Sequence, residues 1–206
     1  MENSMSCPAR NGTNPLLRVA IPPPHLGEQL YFHEKCGKNA VVINNGETAH
    51  RKEPYETPYH GLVFSHRFLF DNELFEVTVD EIISKWPGYT FGIGVTAQHP
   101  AMKDEDEDNL EWLHDTLSCS WYSYGNSIYE NGENIIEEYG IDLGNIKEGD
   151  QVGVMRKDNG TLHFFVNGMD KGPSATDVPT DVFGVIDLGG CCVRASVVDP
   201  LTPVSR

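Results

Sequence analysis

The sequence predicts an all-β domain folded as an antiparallel sandwich. Three observations carry this. Short stretches rich in Val, Ile, Phe and Tyr recur along the chain, separated by turn residues. Apolar and polar residues alternate with period two in Leu74-Phe75-Glu76-Val77-Thr78-Val79 and in Leu162-His163-Phe164-Phe165-Val166. Asn-Gly pairs stand at 45–46, 131–132, 159–160 and 167–168. They suit type I′ hairpin turns, whose two central residues need positive φ.

In chain order, the first candidate strands are Leu30–Cys36 and Ala40–Ile43, the second ending on the first Asn-Gly pair. Gly61–Ser65 follows, carrying Leu62, Val63 and Phe64. Leu74–Val79 has the alternation of a half-buried strand, and Asp80–Lys85 reads as a short helical turn. Thr90–Ala97 and Ser118–Tyr124 flank a segment in which Asn109–His114 reads as a second helical turn. Gln151–Arg156 and Thr161–Val166 surround Asp158-Asn159-Gly160 and end on Asn167-Gly168, the pattern of a three-strand meander. Phe183–Asp187 and Val193–Val198 complete the set. Many short strands at this spacing imply a sandwich rather than an α/β fold.

The length of 206 residues fits one domain with tails. Residues 1–28, rich in Pro, Asn and Ser with Pro22-Pro23-Pro24, read as an extended tail. The domain is expected over 29–198 and a second short tail over 199–206. Fifteen Lys and Arg against 31 Asp and Glu give a formal net charge of −16. Such a balance opposes sequence-independent nucleic-acid binding and docking on anionic membranes, both of which need clustered positive charge. No apolar run approaches the roughly 18 residues that span a bilayer. The opening residues lack an apolar segment of signal-peptide length, so the expected setting is intracellular. Five cysteines, none in Cys-x-x-Cys spacing, read as buried thiols, and the sequons at Asn11 and Asn159 as accidental.

No catalytic constellation emerges. The chain lacks a Gly-x-Ser-x-Gly elbow, a Gly-x-x-x-x-Gly-Lys loop and His-Glu-x-x-His. Gly92-Ile93-Gly94 lies in a strand and lacks the later glycine of a dinucleotide fingerprint. The acidic run Lys103–Asp108 fails as a calcium loop, since its sixth and twelfth positions from Asp104 are Asn109 and Asp115. It reads as a solvated loop able to attract a basic partner. No enzyme activity, cofactor or metal is expected.

What remains is a binding surface on sandwich loops. The stretch Trp121–Tyr129 is dense in aromatic residues, the usual anchors of such surfaces.

Between Leu30 and Val198 an ordered set of motifs resembles the neuralized homology repeat of the neuralized family. It includes Phe32-His33, Cys36-Gly37-Lys38-Asn39-Ala40, Thr48-Ala49-x-Arg51 and Gly61-Leu62-Val63-Phe64-Ser65 with Arg67 and Leu69. It continues through Glu73–Val77, Trp86 and Gly88, Gly92–Thr96, Glu138-Tyr139-Gly140, Gly149–Val154, Gly160–Gly168 and Val185–Leu188. Phe68, the Trp86-Pro87-Gly88-Tyr89 turn and Gly189 depart from the pattern, all at turns or strand ends. The resemblance implies a SPRY-like bent sandwich and a non-enzymatic protein-recognition role beside ubiquitin ligases. It implies a cytoplasmic setting, with centrosomes among the sites where relatives work.

Two loop groups are the expected contacts. One runs from Asn45 through Arg51 and Tyr55 to Tyr59. The other comprises Trp86 and Tyr89, Trp121, Tyr124, Asn126 and Tyr129, and Met169 beside the last hairpin. Arg51 stands out in so acidic a chain, with a ligand role and a structural pairing equally open. Arg67 is expected to hold strand ends together. The expected partner is a protein or short peptide, with a basic one favoured by charge. The isolated domain is expected to be a monomer, the alternative being a self-associating scaffold element.

Overall fold

The computed structural model describes residues 28–86, 88, 90–100, 113, 117 and 119–199. The described strands are β1 (Ala40–Ile43), β2 (Thr48–Arg51), β3 (Leu62–Phe68), β4 (Leu74–Ile82), β5 (Gly92–Thr96), β6 (Ser120–Tyr124) and β7 (Ser127–Glu130). They continue as β8 (Glu133–Ile136), β9 (Gln151–Arg156), β10 (Leu162–Val166), β11 (Met169–Ala175), β12 (Phe183–Asp187) and β13 (Cys192–Val197). Two antiparallel sheets result. One has the order β1-β2-β13-β4-β9-β10-β11, the other β3-β12-β5-β6-β7-β8. This is the all-β sandwich that the alternation predicts.

The core follows from that alternation. Phe75, Val77 and Val79 project from one face of β4 and are fully buried, as are Val152 and Val154 of β9 and Ile93 and Val95 of β5. β12 is buried on both faces. Ile186 joins the inter-sheet core, while Val185 joins Leu62, Phe64 and Tyr122 in a second cluster with Leu113 and Leu117. Gly184 permits a close approach of the layers: a Cβ there would lie 2.4 Å from a ring carbon of Phe75.

The turns sort by backbone geometry. Asn131-Gly132 (φ 52°, 85°) and Asn167-Gly168 (φ 51°, 75°) take the expected doubly positive conformation between paired strands. At 158–160 only Gly160 has positive φ (83°), and the Asn159 side chain instead accepts the Thr161 N–H at 3.0 Å. Asn45-Gly46 (φ 56°, 95°) is doubly positive as well, in the Asn44–Gly46 turn between β1 and β2.

Several expectations are corrected. The strand expected over Leu30–Cys36 is a single bridge, Phe32 to Ser65. The segment still lies along β3, with His33 N–H donating to the Phe64 carbonyl and Gly37 N–H to that of Leu62. Asp80–Lys85 is no helical turn. β4 continues to Ile82 because the Ser196 hydroxyl donates to Asp80, and Arg194 pairs with Glu81. β2, β7 and β8 fall outside the expected strands, while β11 is the third strand of the expected meander, pairing with β10 beyond Asn167-Gly168. Cys36, Cys191 and Cys192 are free thiols, whereas Cys119 is disulfide-bonded, against the expectation of thiols throughout. The tail over 1–28 (Glu28 apart), the acidic run, the helical turn at Asn109–His114 (Leu113 apart) and residues 200–206 lie outside the described residues. No described helix is long and apolar enough to cross a membrane.

Candidate functional site

Strand register sorts the loops between the two ends of the sandwich. Ala40 pairs with Arg51 and Ile43 with Thr48, so the Asn44–Gly46 turn and the 52–61 loop lie at opposite ends. The first expected loop group is therefore split. The 52–61 loop shares its end with the segment after β4, the β6–β7 turn and the β12–β13 connection, since Asp187 pairs with Gly92 and Gly92 with Tyr124.

Two buried side chains fix the 52–59 loop from beneath. Arg51 is 2% exposed. Its Nη1 donates to the Thr57 carbonyl at 3.2 Å, and its Nη2 to those of Pro54 (3.4 Å) and Gly190 (2.8 Å). It thus ties the loop to the β12–β13 connection. Burial draws the guanidinium below its usual value, opposed by Cys192 and Asp187. Of the two roles open for Arg51, the structure gives the structural one, through carbonyls rather than a paired carboxylate. Asn39 acts from the other side. Its Nδ2 donates to the Tyr59 carbonyl at 3.1 Å, and its Oδ1 accepts the Glu53 N–H at 2.8 Å.

Above this platform lies a patch of two aromatics and a cation. Trp86 Nε1 donates to the Pro54 carbonyl at 2.8 Å, and the Lys85 ammonium donates to that of Tyr55. The ammonium sits 5.0 Å from the Trp86 ring centroid and 5.9 Å from that of Tyr55, within cation–π range. Tyr55 is 56% exposed, flanked by exposed Glu53 and Glu56. Thr90 joins the next loop. Its N–H donates to the Tyr124 hydroxyl and its Oγ1 accepts the Gly125 N–H, both at 3.1 Å.

The other expected residues disperse. Tyr59 is half-buried, edge-on to His60, and its backbone is held by Asn39 and Thr57. Tyr124 is half-buried and Asn126 exposed at the hairpin tip. Trp121 is 3% exposed in the inter-sheet core, so it supports β6 and presents no contact surface. Tyr129 stacks on Tyr122 at 5.3 Å between ring centroids, on the outer face of the six-stranded sheet. Met169 is 62% exposed but begins β11, five strand positions from β2, which is roughly 24 Å at one strand spacing each. Tyr89 lies outside the described residues. Arg67 does hold strand ends: it grips Glu73 with two bonds of 2.8 Å.

Sequence reasoning passed over Lys85, Asn39 and Asp187. The Lys85-Trp86 pair beside an aromatic loop was the legible signal for the first. Asp187 is fully buried beneath the loop end and accepts the Leu113 N–H at 3.3 Å. Burial raises its carboxyl to about 7, against the opposing Leu113 N–H and the Arg51 charge. Among the described residues no cluster of His, Cys, Asp and Glu is arranged to hold a metal ion.

The two-sheet topology with a loop-built end defines a SPRY-like domain, and solved structures agree. The crystal structure of the neuralized NHR1 domain of Drosophila melanogaster superposes with a TM-score of 0.57 at 20% identity, covering 83% of this chain and 98% of that one. The solution structure of the NHR domain in Drosophila Neuralized gives 0.59 at 20% identity, covering 85% and 94%. A human SPRY domain gives 0.57 at 16% identity, covering 81% and 98%. The Neuralized family model matches residues 32–199, and the chain belongs to that family. Neuralized and SPRY-like domains are in general protein-interaction modules.

Proposed function

We propose that this chain is a non-enzymatic recognition domain that reads a peptide or protein surface with the Tyr55–Lys85–Trp86 patch. It serves as the substrate-recognition or adaptor part of a ubiquitin-ligase pathway in the cytoplasm. The observation that carries the location is the exposed Tyr55 on a loop fixed by the buried Arg51 and Asn39. An exposed aromatic on an ordered loop loses little conformational freedom when it is covered, which is what makes a contact anchor. The flanking Glu53 and Glu56, in a chain of net charge −16, favour approach of a basic partner.

Capture from cell lysate tests this, with the full chain as bait and mass spectrometry as readout. The control bait carries Tyr55→Ala and Lys85→Ala, changes at exposed or tethered positions that leave the core intact. Proteins retained by the native chain and lost from the control, with ligase components among them, are the expected result. Equal retention on both baits would remove the patch from the account.

A further inference from the structure

The far edge of the six-stranded sheet presents a second surface, independent of the loop end. β8 has one neighbour, β7, and its other side is unpaired among the described residues. Glu130 and Glu133 flank the two-residue Asn131-Gly132 turn and form the closing hydrogen-bonded pair. The next pair, Tyr129 with Asn134, is then the non-bonded type. The Asn134 N–H and C=O therefore point away from β7, into the open edge. Beyond Asn134 a bulge sets Ile135 and Ile136 against Ile128, leaving Ile135 41% exposed.

Charge along β7, β8 and the segment that follows β8 has one sign. From 119 to 146 the sequence holds Glu130, Glu133, Glu137, Glu138 and Asp142 and no Lys or Arg. Glu133, Glu137 and Glu138 are exposed, and no described cation lies within ion-pair distance of them. Carboxylates and a bulge on an edge are also how proteins prevent sheet-to-sheet aggregation. Here they act on one class of partner only. They repel a second copy of this acidic chain, and they attract a strand of opposite charge.

We propose that β8 takes up a basic extended segment of a partner protein as an added strand. The segment pairs its backbone with Asn134, sets an apolar residue against Ile135 and places Lys or Arg beside Glu133, Glu137 and Glu138. Main-chain pairing supplies the affinity and the alternating side chains the selectivity, as in other cases of strand addition.

The probe is a fluorescein-labelled heptapeptide of alternating Lys and Val. Its two controls are an alternating Glu and Val peptide, and the Lys-Val peptide with proline at its central position. Anisotropy with the full chain at physiological salt should show saturable binding of the Lys-Val peptide and none of the Glu-Val peptide. The proline peptide keeps its charge but loses a backbone donor, so it should bind about tenfold more weakly. Replacing Glu133, Glu137 and Glu138 by Gln, all exposed, should also cost roughly tenfold. Hydrogen exchange should slow at 133–136 when the probe binds. Equal binding of the two Lys-containing peptides would mean attraction by charge alone and would overturn the proposal. So would protection confined to another strand, or a dimer in sedimentation that the Gln substitutions strengthen.

Discussion

Arg51 and Asp187 show how a single side chain can govern a surface it does not reach. Arg51 was legible as unusual because it is a cation in an acidic chain; its role was not. That role depends on the carbonyls of Pro54, Thr57 and Gly190, which converge only through the β12–β13 connection, about 140 residues away in sequence. Asp187 was read only as a strand end. Its burial beside Leu113 depends on a contact 74 residues away in sequence, and no local pattern reports that. The Asp187 carboxyl titrates near 7 in the folded chain and near 3.8 when unfolded. The folded state therefore binds the proton more tightly. This contribution to stability is complete below about pH 4, declines as pH rises through 7, and has gone by pH 8. Asp187→Asn should remove that slope. In urea unfolding, the stability of the variant relative to the native chain should improve by a few kcal/mol between pH 5 and pH 8. A difference that is flat over that interval would mean that Asp187 is solvated in the native state.

At the scale of elements, legibility tracked burial. β4, β9 and β10 announce themselves because each sends alternate residues into the core, as Phe75, Val77 and Val79 do. β8 (Glu-Asn-Ile-Ile) and β11 (Met-Asp-Lys-Gly-Pro-Ser-Ala) lie at sheet edges, largely exposed, and carry no such alternation. Hairpin geometry reveals them instead, through Asn131-Gly132 and Asn167-Gly168. Asp80–Lys85 reads as a short helical turn in sequence; cross-strand partners on β13 hold Asp80 and Glu81 extended. Gly184 faces the Phe75 ring across the two layers. Gly184→Ala would drive a methyl group into the Phe75 ring and should destabilise the fold by about 1–3 kcal/mol, measured by the urea midpoint. Adding Phe75→Leu should recover part of that loss, since it makes room at the same contact. No recovery would place the cost in the backbone of β12 rather than in packing.

Across the whole molecule, fold and family were readable because the motifs run in order through both sheets, from Phe32 to Leu188. The site was less so. Loops brought together by register, such as 52–59 and 83–86, are remote in sequence, while Asn45 and Tyr55 are near in sequence and sit at opposite ends. Net charge adds a long-range preference: at low ionic strength the field of a −16 molecule draws basic partners faster, and salt reduces this over a Debye length of about 8 Å at physiological strength. The central claim is that the end carrying Tyr55, Lys85 and Trp86 is where the domain meets its partner. Hydrogen exchange of the full chain, with and without a partner captured from lysate, tests it most directly. The account predicts slowed exchange at 52–59 and 83–86, reversed by Tyr55→Ala with Lys85→Ala. Protection confined to the opposite end, at 44–46 and 157–161, with the loop end unchanged, would contradict it.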